Sequence, residues 1–242
     1  TGLNPLKAEL VGMSFAISAF EAFYVPVPTD LKKAAAIVNE FKSLFENKKI
    51  QKIGQNLKYD VLVLRKYGVK VEGPYFDTML AHYVLEPNTR KHGMDYLAEV
   101  YLNYTPVPIS ELIGPKGKNQ KTMRDIPQES ISDYACEDAD ITLQIHQKLA
   151  AELDKEPGLK SVYQDIELPL LDILLKIERK GVKIDVAMLE KQSQQLAERM
   201  KEVERQAYEE AGETFNLASP KQLSSILFEK LKIPSSKKTK TG

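Results

Sequence analysis

Two short stretches of the chain carry side chains suited to hydrolytic chemistry. In residues 56–60, the amide of Asn56 and the carboxylate of Asp60 lie four positions apart, where a short predicted strand passes into a helix. Residues 134–138 repeat this spacing with the phenol of Tyr134 and the carboxylate of Asp138. Because residues four apart share one helix face, each stretch directs two polar groups to one place. A phenol can orient a water molecule, and a carboxylate can hold a hard cation.

Both stretches also have a plainer interpretation. An Asp in the second turn of a helix is most often simply hydrated, and the three acids Glu137, Asp138 and Asp140 are also typical of a solvated helix face. Mg²⁺ favours carboxylates, and two ions about 3.5–4 Å apart can clamp a phosphodiester. Such a pair usually draws several carboxylates from separate elements, whereas Asp60 and Asp138 supply two. The residues alone leave a metal site and a wet surface as open alternatives.

Charge and hydropathy exclude several classes of protein. The 242 residues carry 34 basic and 34 acidic side chains, which excludes a polybasic coat for nucleic acid. Residues 221–242 nevertheless hold six lysines and one acid, as in a phosphate-binding segment or a solvated tail. The longest uncharged apolar run, residues 10–20, is too short to span a membrane. The single cysteine, Cys136, excludes an internal disulfide and fits a reducing compartment.

The apolar periodicity predicts two regions, with a boundary near residue 157. Residues 1–157 mix strand and helix patterns, which predicts an α/β body whose mixed sheet is covered by helices. The predicted strands of this body are 10–18, 22–27, 52–54 and 71–76. Its predicted helices are 31–45, one that begins at Asn56, one from Asp77 to Leu85, and 130–153. Residues 104–121 are predicted to form a loop. Residues 158–242 predict an all-helical arm, with helices 162–179, 185–211 and 220–231.

Several segments resemble bacterial family A DNA polymerases. Residues 54–60, 76–80, 117–120 and 134–140 resemble the proofreading 3′→5′ exonuclease domain of that family. Further segments, at residues 177–185, 215–217, 221–223 and 226–230, resemble the start of the polymerase domain and its thumb. The resemblance runs in order over nearly the whole chain, so it is highly specific.

The resemblance implies a fold, an activity and partners. It implies a ribonuclease-H-like exonuclease domain over residues 1–157, with the first strand apparently missing, and the start of the polymerase thumb over 158–242. The implied reaction is two-metal hydrolysis of the 3′-terminal phosphodiester of DNA with Mg²⁺, which Mn²⁺ or Zn²⁺ can replace. The implied partners are a single-stranded 3′ end, duplex primer–template at the thumb and the rest of a polymerase, with no membrane. The implied setting is replication and repair at the nucleoid of a bacterial cytoplasm.

The resemblance also implies roles for individual residues. Asp60 matches a carboxylate associated with the second metal, Asp138 a ligand of the first, and Tyr134 the phenol that orients the attacking water. The implied substrate contacts are Leu3, an apolar wedge against the terminal bases; Gln55 and Asn56, near the substrate; and Ile109, where the family often has a stacking aromatic. Because stacking contributes about 1–3 kcal/mol per base, Ile109 predicts a weaker grip on single strands.

One departure concerns the family's first motif, an Asp-x-Glu pair, which would immediately precede Thr1. Two of four metal-binding carboxylates are then missing from these residues, so we expect the 242 residues by themselves to show little nuclease activity. One alternative is a catalytically inactive, exonuclease-like scaffold that supports a polymerase domain, but retention of Asp60, Tyr134 and Asp138 argues against it. Another is a stand-alone ribonuclease that trims structured RNA, which the polymerase-like segments after residue 165 disfavour.

Overall fold

The computed structural model describes residue 2 and residues 4–234. Leu3, the predicted wedge, lies outside the described residues, as do Lys237, Lys238 and Lys240 of the basic C-terminal segment. By packing, the chain divides into two compact units, Thr1–Gly181 and Val182–Gly242. The first unit combines strands and helices, and the second is helical.

The first unit contains two strand pairs. Strands β1 (Gly12–Ser18) and β2 (Glu21–Pro26) form an antiparallel hairpin, close to the positions predicted for the first two strands. Strands β3 (Lys52–Gly54) and β4 (Tyr75–Asp77) run parallel. Parallel pairing places the ends of β3 and β4, and the helices that follow them, at one edge of the pair.

The fourth strand begins later than predicted, which corrects the strand expected over 71–76. Gly73 has a φ of 105°, a conformation that regular strands do not contain, so the chain turns there and pairs only from Tyr75 onward. The apolar residues before this turn still point inward: Val69 and Val71 are buried in the core. The apolar residues of 71–76 correctly indicated a buried segment, but the turn at Gly73 prevents the strand from starting before Tyr75.

The helices of the first unit largely follow the predicted order. They are α1 (Leu31–Glu40), α2 (Lys42–Phe45), α3 (Leu57–Arg65), α4 (Thr78–Leu85), α5 (Met94–Leu102), α6 (Ile109–Ile113), α7 (Gln128–Lys155), α8 (Pro157–Ser161) and α9 (Leu168–Lys180). A 3₁₀ turn (Met123–Asp125) precedes α7, and a π-helical segment (Val162–Glu167) joins α8 to α9. The predicted helix 31–45 is divided at Phe41, α6 interrupts the predicted loop, and α5 was not predicted.

Two main cores hold these elements together. The first core packs the hairpin, α1 and α3 against α9, through residues such as Val38, Val61 and Leu175. The second core packs β4, α4 and α5 against α7, with Phe76 and Ile145 among its buried side chains. Both cores meet the β3–β4 pair, so that pair is the frame on which α3, α4 and α7 are positioned.

Residues after the predicted boundary also belong to these cores. Tyr163 is buried in the second core, and Leu171 and Leu175 are buried in the first. By packing, residues 158–181 therefore lie with the first unit, whereas the division at residue 157 stays a prediction about the two domains.

The second unit consists of α10 (Val186–Ala211), α11 (Pro220–Ser224) and a π-helical segment (Ser225–Lys230). Asp185 caps α10 by accepting from Met188 N (3.0 Å), and Gly212 ends it with a φ of 69°, as predicted. One face of α10 carries apolar side chains that are exposed, at Leu189, Leu196, Met200 and Val203. Within the described residues, no helix is long and apolar enough to cross a bilayer.

Candidate active site

Asp138 occupies the middle of the apolar stripe of α7. Ile131 and Ile145 lie seven residues to either side of it, or about two turns, and both are buried. Residue 138 therefore faces the protein body rather than solvent. Its Oδ1 atom is buried and has no hydrogen-bond partner among the described residues. A carboxylate oxygen in this position is available to a cation or a water molecule.

The phenol of Tyr134 lies one turn earlier on the same helix, close enough to the Asp138 carboxylate for hydrogen bonding to favour the ionised form of that carboxylate. Burial raises the pKa of Asp138 to about 7, and the charges of Glu137 and Asp95 act in the same direction, whereas the bond from Tyr134 opposes them. Burial and the charge of Asp138 hold the pKa of Tyr134 above its ordinary value. At neutral pH the phenol is thus a neutral hydrogen-bond donor.

Asp60 lies in the first turns of α3, directly after β3. The residue as a whole is solvent-exposed, whereas its carboxylate is desolvated by the protein atoms around it. This desolvation, together with the negative charge of Asp77, raises the pKa of Asp60 to about 7.

Asp77, at the end of β4, caps two helices at once. Its carboxylate accepts from Met79 N (2.9 Å) and Leu80 N (3.2 Å) at the start of α4, the helix predicted from Asp77 to Leu85. It also accepts from Asn56 N (3.2 Å) and Leu57 N (2.8 Å) at the start of α3. This second cap, which the sequence analysis missed, ties the helix that carries Asp60 to the end of β4.

The backbone of Asp77 is held by Tyr163. The Tyr163 hydroxyl accepts from Asp77 N at 2.8 Å and donates to Asp77 O at 3.3 Å. Tyr163 lies beyond the predicted domain boundary, which is why its part in the site could not be expected from the motifs.

Gln55 and Asn56 occupy the short link between β3 and α3. Gln55 donates to His92 O (2.7 Å) and accepts from the Thr78 hydroxyl, so its amide braces the link. Asn56 has left-handed backbone angles (φ 58°, ψ 51°), which Asn tolerates better than most residues. Their predicted contacts with substrate stay predictions.

Glu137, one residue before Asp138, anchors the segment that leads to Ile109. Its carboxylate accepts from the Tyr104 hydroxyl (2.5 Å) and from Val107 N (3.2 Å). Ile109 starts α6 two residues later and is 46% exposed. The structure thus brings the predicted substrate-contact segment to α7, while contact between Ile109 and a base stays a prediction.

The two predicted metal ligands are carried by elements that share the β3–β4 frame. The start of α3, with Asp60, is bonded to the end of β4, and α7, with Asp138, packs against β3. Among residue 2 and residues 4–234, no three His, Cys, Asp or Glu side chains form a group that could hold a metal ion. Joint ligation of ions by Asp60 and Asp138 stays a prediction.

A pair of histidines supports the loop that holds Gln55. His92 Nε2 lies 3.1 Å from Thr89 O, which assigns its proton to Nε2, and His92 Nδ1 then accepts from His82 Nδ1 at 2.8 Å. His82 is buried, and burial lowers its pKa, as does His92.

Acid is expected to weaken the fold through His82. Because its folded pKa lies below the unfolded value of about 6.5, its contribution is complete above pH 6.5 and is lost as the pH falls toward the folded pKa. Burial lowers the pKa of His146 in the same way, whereas Asp60 and Asp138, with folded pKa values of about 7, stabilise the fold as the pH falls. The effect of His82 is therefore a difference between two proteins: from pH 7 to pH 5, His82→Asn should lose less stability than the parent chain. Urea denaturation between pH 7 and pH 5 measures this; an equal decline in His82→Asn and the parent chain would contradict it.

These elements define a class of structure. It is an α/β body with acidic side chains beside one sheet edge, and a helical unit follows it in the chain. Residues 1–154 match the protein family described as 3′-5′ exonuclease, and residues 186–242 match DNA polymerase family A. The chain belongs to the bacterial DNA polymerase I family, an enzyme family, with a ribonuclease-H-like exonuclease fold followed by a helical arm.

The curated relatives are consistent with this assignment. The chain is 42% identical to DNA polymerase I of Pseudomonas aeruginosa, over 100% of this chain and 27% of that protein. It is 38% identical to DNA polymerase I of Rhizobium leguminosarum, over 100% of this chain and 26% of that protein. The chain therefore spans about a quarter of the length of these relatives.

A solved structure has the same fold. The polymerase domain of Pol1 from M. smegmatis, in complex with DNA primer-template and dNTP, matches with a TM-score of 0.73 and 27% identity. The match covers 92% of this chain and 35% of that one.

Proposed function

We propose that residues 1–157 form a proofreading site that hydrolyses the 3′-terminal phosphodiester of DNA and releases deoxynucleoside monophosphates. The observation that supports this most directly is the Tyr134–Asp138 pair: a neutral phenol lies one turn before a carboxylate whose Oδ1 atom is buried and has no hydrogen-bond partner among the described residues. No packing requirement explains a carboxylate in the middle of an apolar stripe.

The donor chemistry of the site suits divalent magnesium. Asp138 would hold one ion through its unpartnered oxygen, and Asp60 would serve a second; Mn²⁺ and Zn²⁺ accept the same oxygen donors. When bound, such ions supply a nucleophile at neutral pH and neutralise charge on the phosphodiester. Because both acids have pKa values of about 7, a nearby cation would favour their ionised forms.

Tyr134 acts in this proposal as a donor rather than a base. Its raised pKa keeps the proton on the phenol, which fixes the Asp138 carboxylate and orients a water molecule beside it. Glu137 holds the segment before α6, so Ile109 lies ready to contact the last bases together with Gln55, Asn56 and Leu3. With an aliphatic Ile109, this contact relies on apolar area rather than on ring stacking.

The helical residues 158–242 are proposed to contact duplex primer–template at the start of a polymerase thumb. Of the described lysines near the C-terminus, Lys230 pairs with Glu213 (2.6 Å), which leaves Lys221 and Lys232 for phosphates. The relatives are bacterial polymerases, so we place the parent enzyme in DNA replication and repair, in the cytoplasm at the nucleoid.

Tyr134→Phe is expected to lower 3′→5′ hydrolysis by about a hundredfold, since positioned proton donors contribute about 10²–10⁴. The assay follows a 5′-labelled single strand with Mg²⁺, in a full-length polymerase that carries these residues. Tyr104→Phe is the matched control, because its hydroxyl bonds Glu137 rather than Asp138. Unchanged hydrolysis in Tyr134→Phe would contradict the proposed role.

An inactive scaffold is the second candidate, because the described residues contain no group of three His, Cys, Asp or Glu side chains that could hold a metal ion. Calorimetric titration with Mn²⁺ distinguishes the two. A proofreading site binds the ion with an affinity that Asp138→Asn reduces, whereas a scaffold shows no dependence on Asp138.

A further inference from the structure

A basic recess lies at the edge of the β3–β4 pair opposite the candidate active site. It has a volume of about 390 Å³, and Tyr75, the first residue of β4, contributes to its wall. Because β3 and β4 are parallel and Asp77 ends β4, Tyr75 and Asp77 mark opposite edges of the pair. The charged residues that line the recess are Lys48, Arg65, Lys70, Glu72, Asp172 and Lys176.

The charges of the recess are unbalanced, with four cations facing two carboxylates. Glu72 is already engaged by Lys48 (3.7 Å) and by Lys70. No ion pair joins Arg65 or Lys176 to a carboxylate in the part of the chain that the structure describes. In the same part of the chain Asp172, the second carboxylate of the recess, has no ion pair either, so Arg65 and Lys176 together exceed it by one positive charge.

Arg65 also leaves a hydrogen bond unmade. Its Nε atom is buried and has no partner among the described residues. Buried N–H groups without a partner are rare in folded proteins, and each one calls for an acceptor such as a bound anion or water. A guanidinium donates through a planar fork that matches the oxygens of a phosphate.

The wall beside these cations is fixed. Gly73 has a φ of 105°, and a Cβ atom there would lie 2.8 Å from Asn47 O, so the turn before β4 packs closely on the preceding loop. The ammonium group of Lys52 holds the turn and the loop together, because it donates to Ile50 O (2.9 Å), Asn47 O and Glu72 O. A fixed wall preserves the spacing of the charges before any ligand arrives.

We propose that this recess binds a phosphate group, held by Arg65 and Lys176. The phosphate belongs either to a free phosphate ester or to a nucleic-acid strand, since both present the same oxygens. The proposal is independent of the proposed nuclease function, because it concerns the opposite sheet edge and predicts binding rather than hydrolysis.

The test is calorimetric titration of the 242-residue chain at constant ionic strength. The probes are inorganic phosphate and a single-stranded oligodeoxynucleotide that lacks terminal phosphates. Arg65→Gln and Lys176→Gln should each weaken binding by at least about tenfold, the loss expected for one charge-assisted hydrogen bond. Lys160→Gln is the matched control: it removes the same charge from an exposed pair with Asp154, outside the recess, and should leave binding unchanged.

The two probes identify the source of the phosphate. Dependence of inorganic phosphate binding on Arg65 and Lys176 supports a free ester, and the same dependence for the oligonucleotide supports a strand. Binding of both probes that is unaffected by these substitutions would overturn the proposal, as would an equal loss in Lys160→Gln. If Arg65→Gln does not fold, Lys176→Gln decides alone, because Lys176 is exposed and outside the core.

Discussion

Asp138→Asn is expected to lower 3′→5′ hydrolysis of single-stranded DNA by about a thousandfold or more, in a polymerase that carries these residues. The substitution keeps the size of the side chain but removes the charge of a carboxylate whose Oδ1 atom is buried without a partner among the described residues. Metal ions supply several kcal/mol of stabilisation in such reactions, and each 1.36 kcal/mol corresponds to about tenfold in rate. Polymerisation, measured on the same preparation, should be unchanged.

Asp140→Asn is the matched control for this prediction. Asp140 lies on α7 two residues later, about half a turn away, and accepts from Phe20 N (2.7 Å) and Gln144 Nε2 (2.8 Å). Losing its charge should leave hydrolysis within a few fold of the parent enzyme. Equal losses in the two variants, or a parallel loss of polymerisation in Asp138→Asn, would show that the acid maintains the fold rather than the reaction.

The local part of this site could be predicted from the sequence. Tyr134 and Asp138 meet because they are four residues apart on one helix, and Asp77 caps α4 because it directly precedes it. The strands of the hairpin and the short strand β3 were likewise indicated by local runs of strand-forming residues. Such features depend on neighbours within one turn, which a sequence displays directly.

The long-range part could not be predicted in this way. Asp77 also caps α3, which begins 20 residues earlier, and Tyr163 holds Asp77 from 86 residues later. Asp95, whose charge raises the pKa of Asp138, lies on the unpredicted helix α5. These contacts arise when separate elements pack on the β3–β4 pair, so spacing within one segment carries no information about them.

The double cap predicts that Asp77→Ala will be among the most destabilising single changes in the first unit. The carboxylate is buried and accepts four backbone N–H groups, at the starts of α3 and α4. One N-cap contributes about 1 kcal/mol, and leaving buried donors unpaired adds to that loss. We expect the free energy of unfolding to fall by about 3 kcal/mol, measured by urea denaturation at neutral pH.

Asp30→Ala is the control that separates a double cap from a single one. Asp30 caps only α1, by accepting from Lys33 N (2.9 Å) at an exposed position, so its loss should amount to about 1 kcal/mol. Asp77→Asn, which keeps one carbonyl oxygen as an acceptor, should fall between the two. Hydrolysis should decline more in Asp77→Ala than in Asp77→Asn. Losing the cap on α3 releases the start of the helix that carries Asp60. Equal stabilities of Asp77→Ala and Asp30→Ala would mean that the contact between Asp77 and α3 does not stabilise the fold.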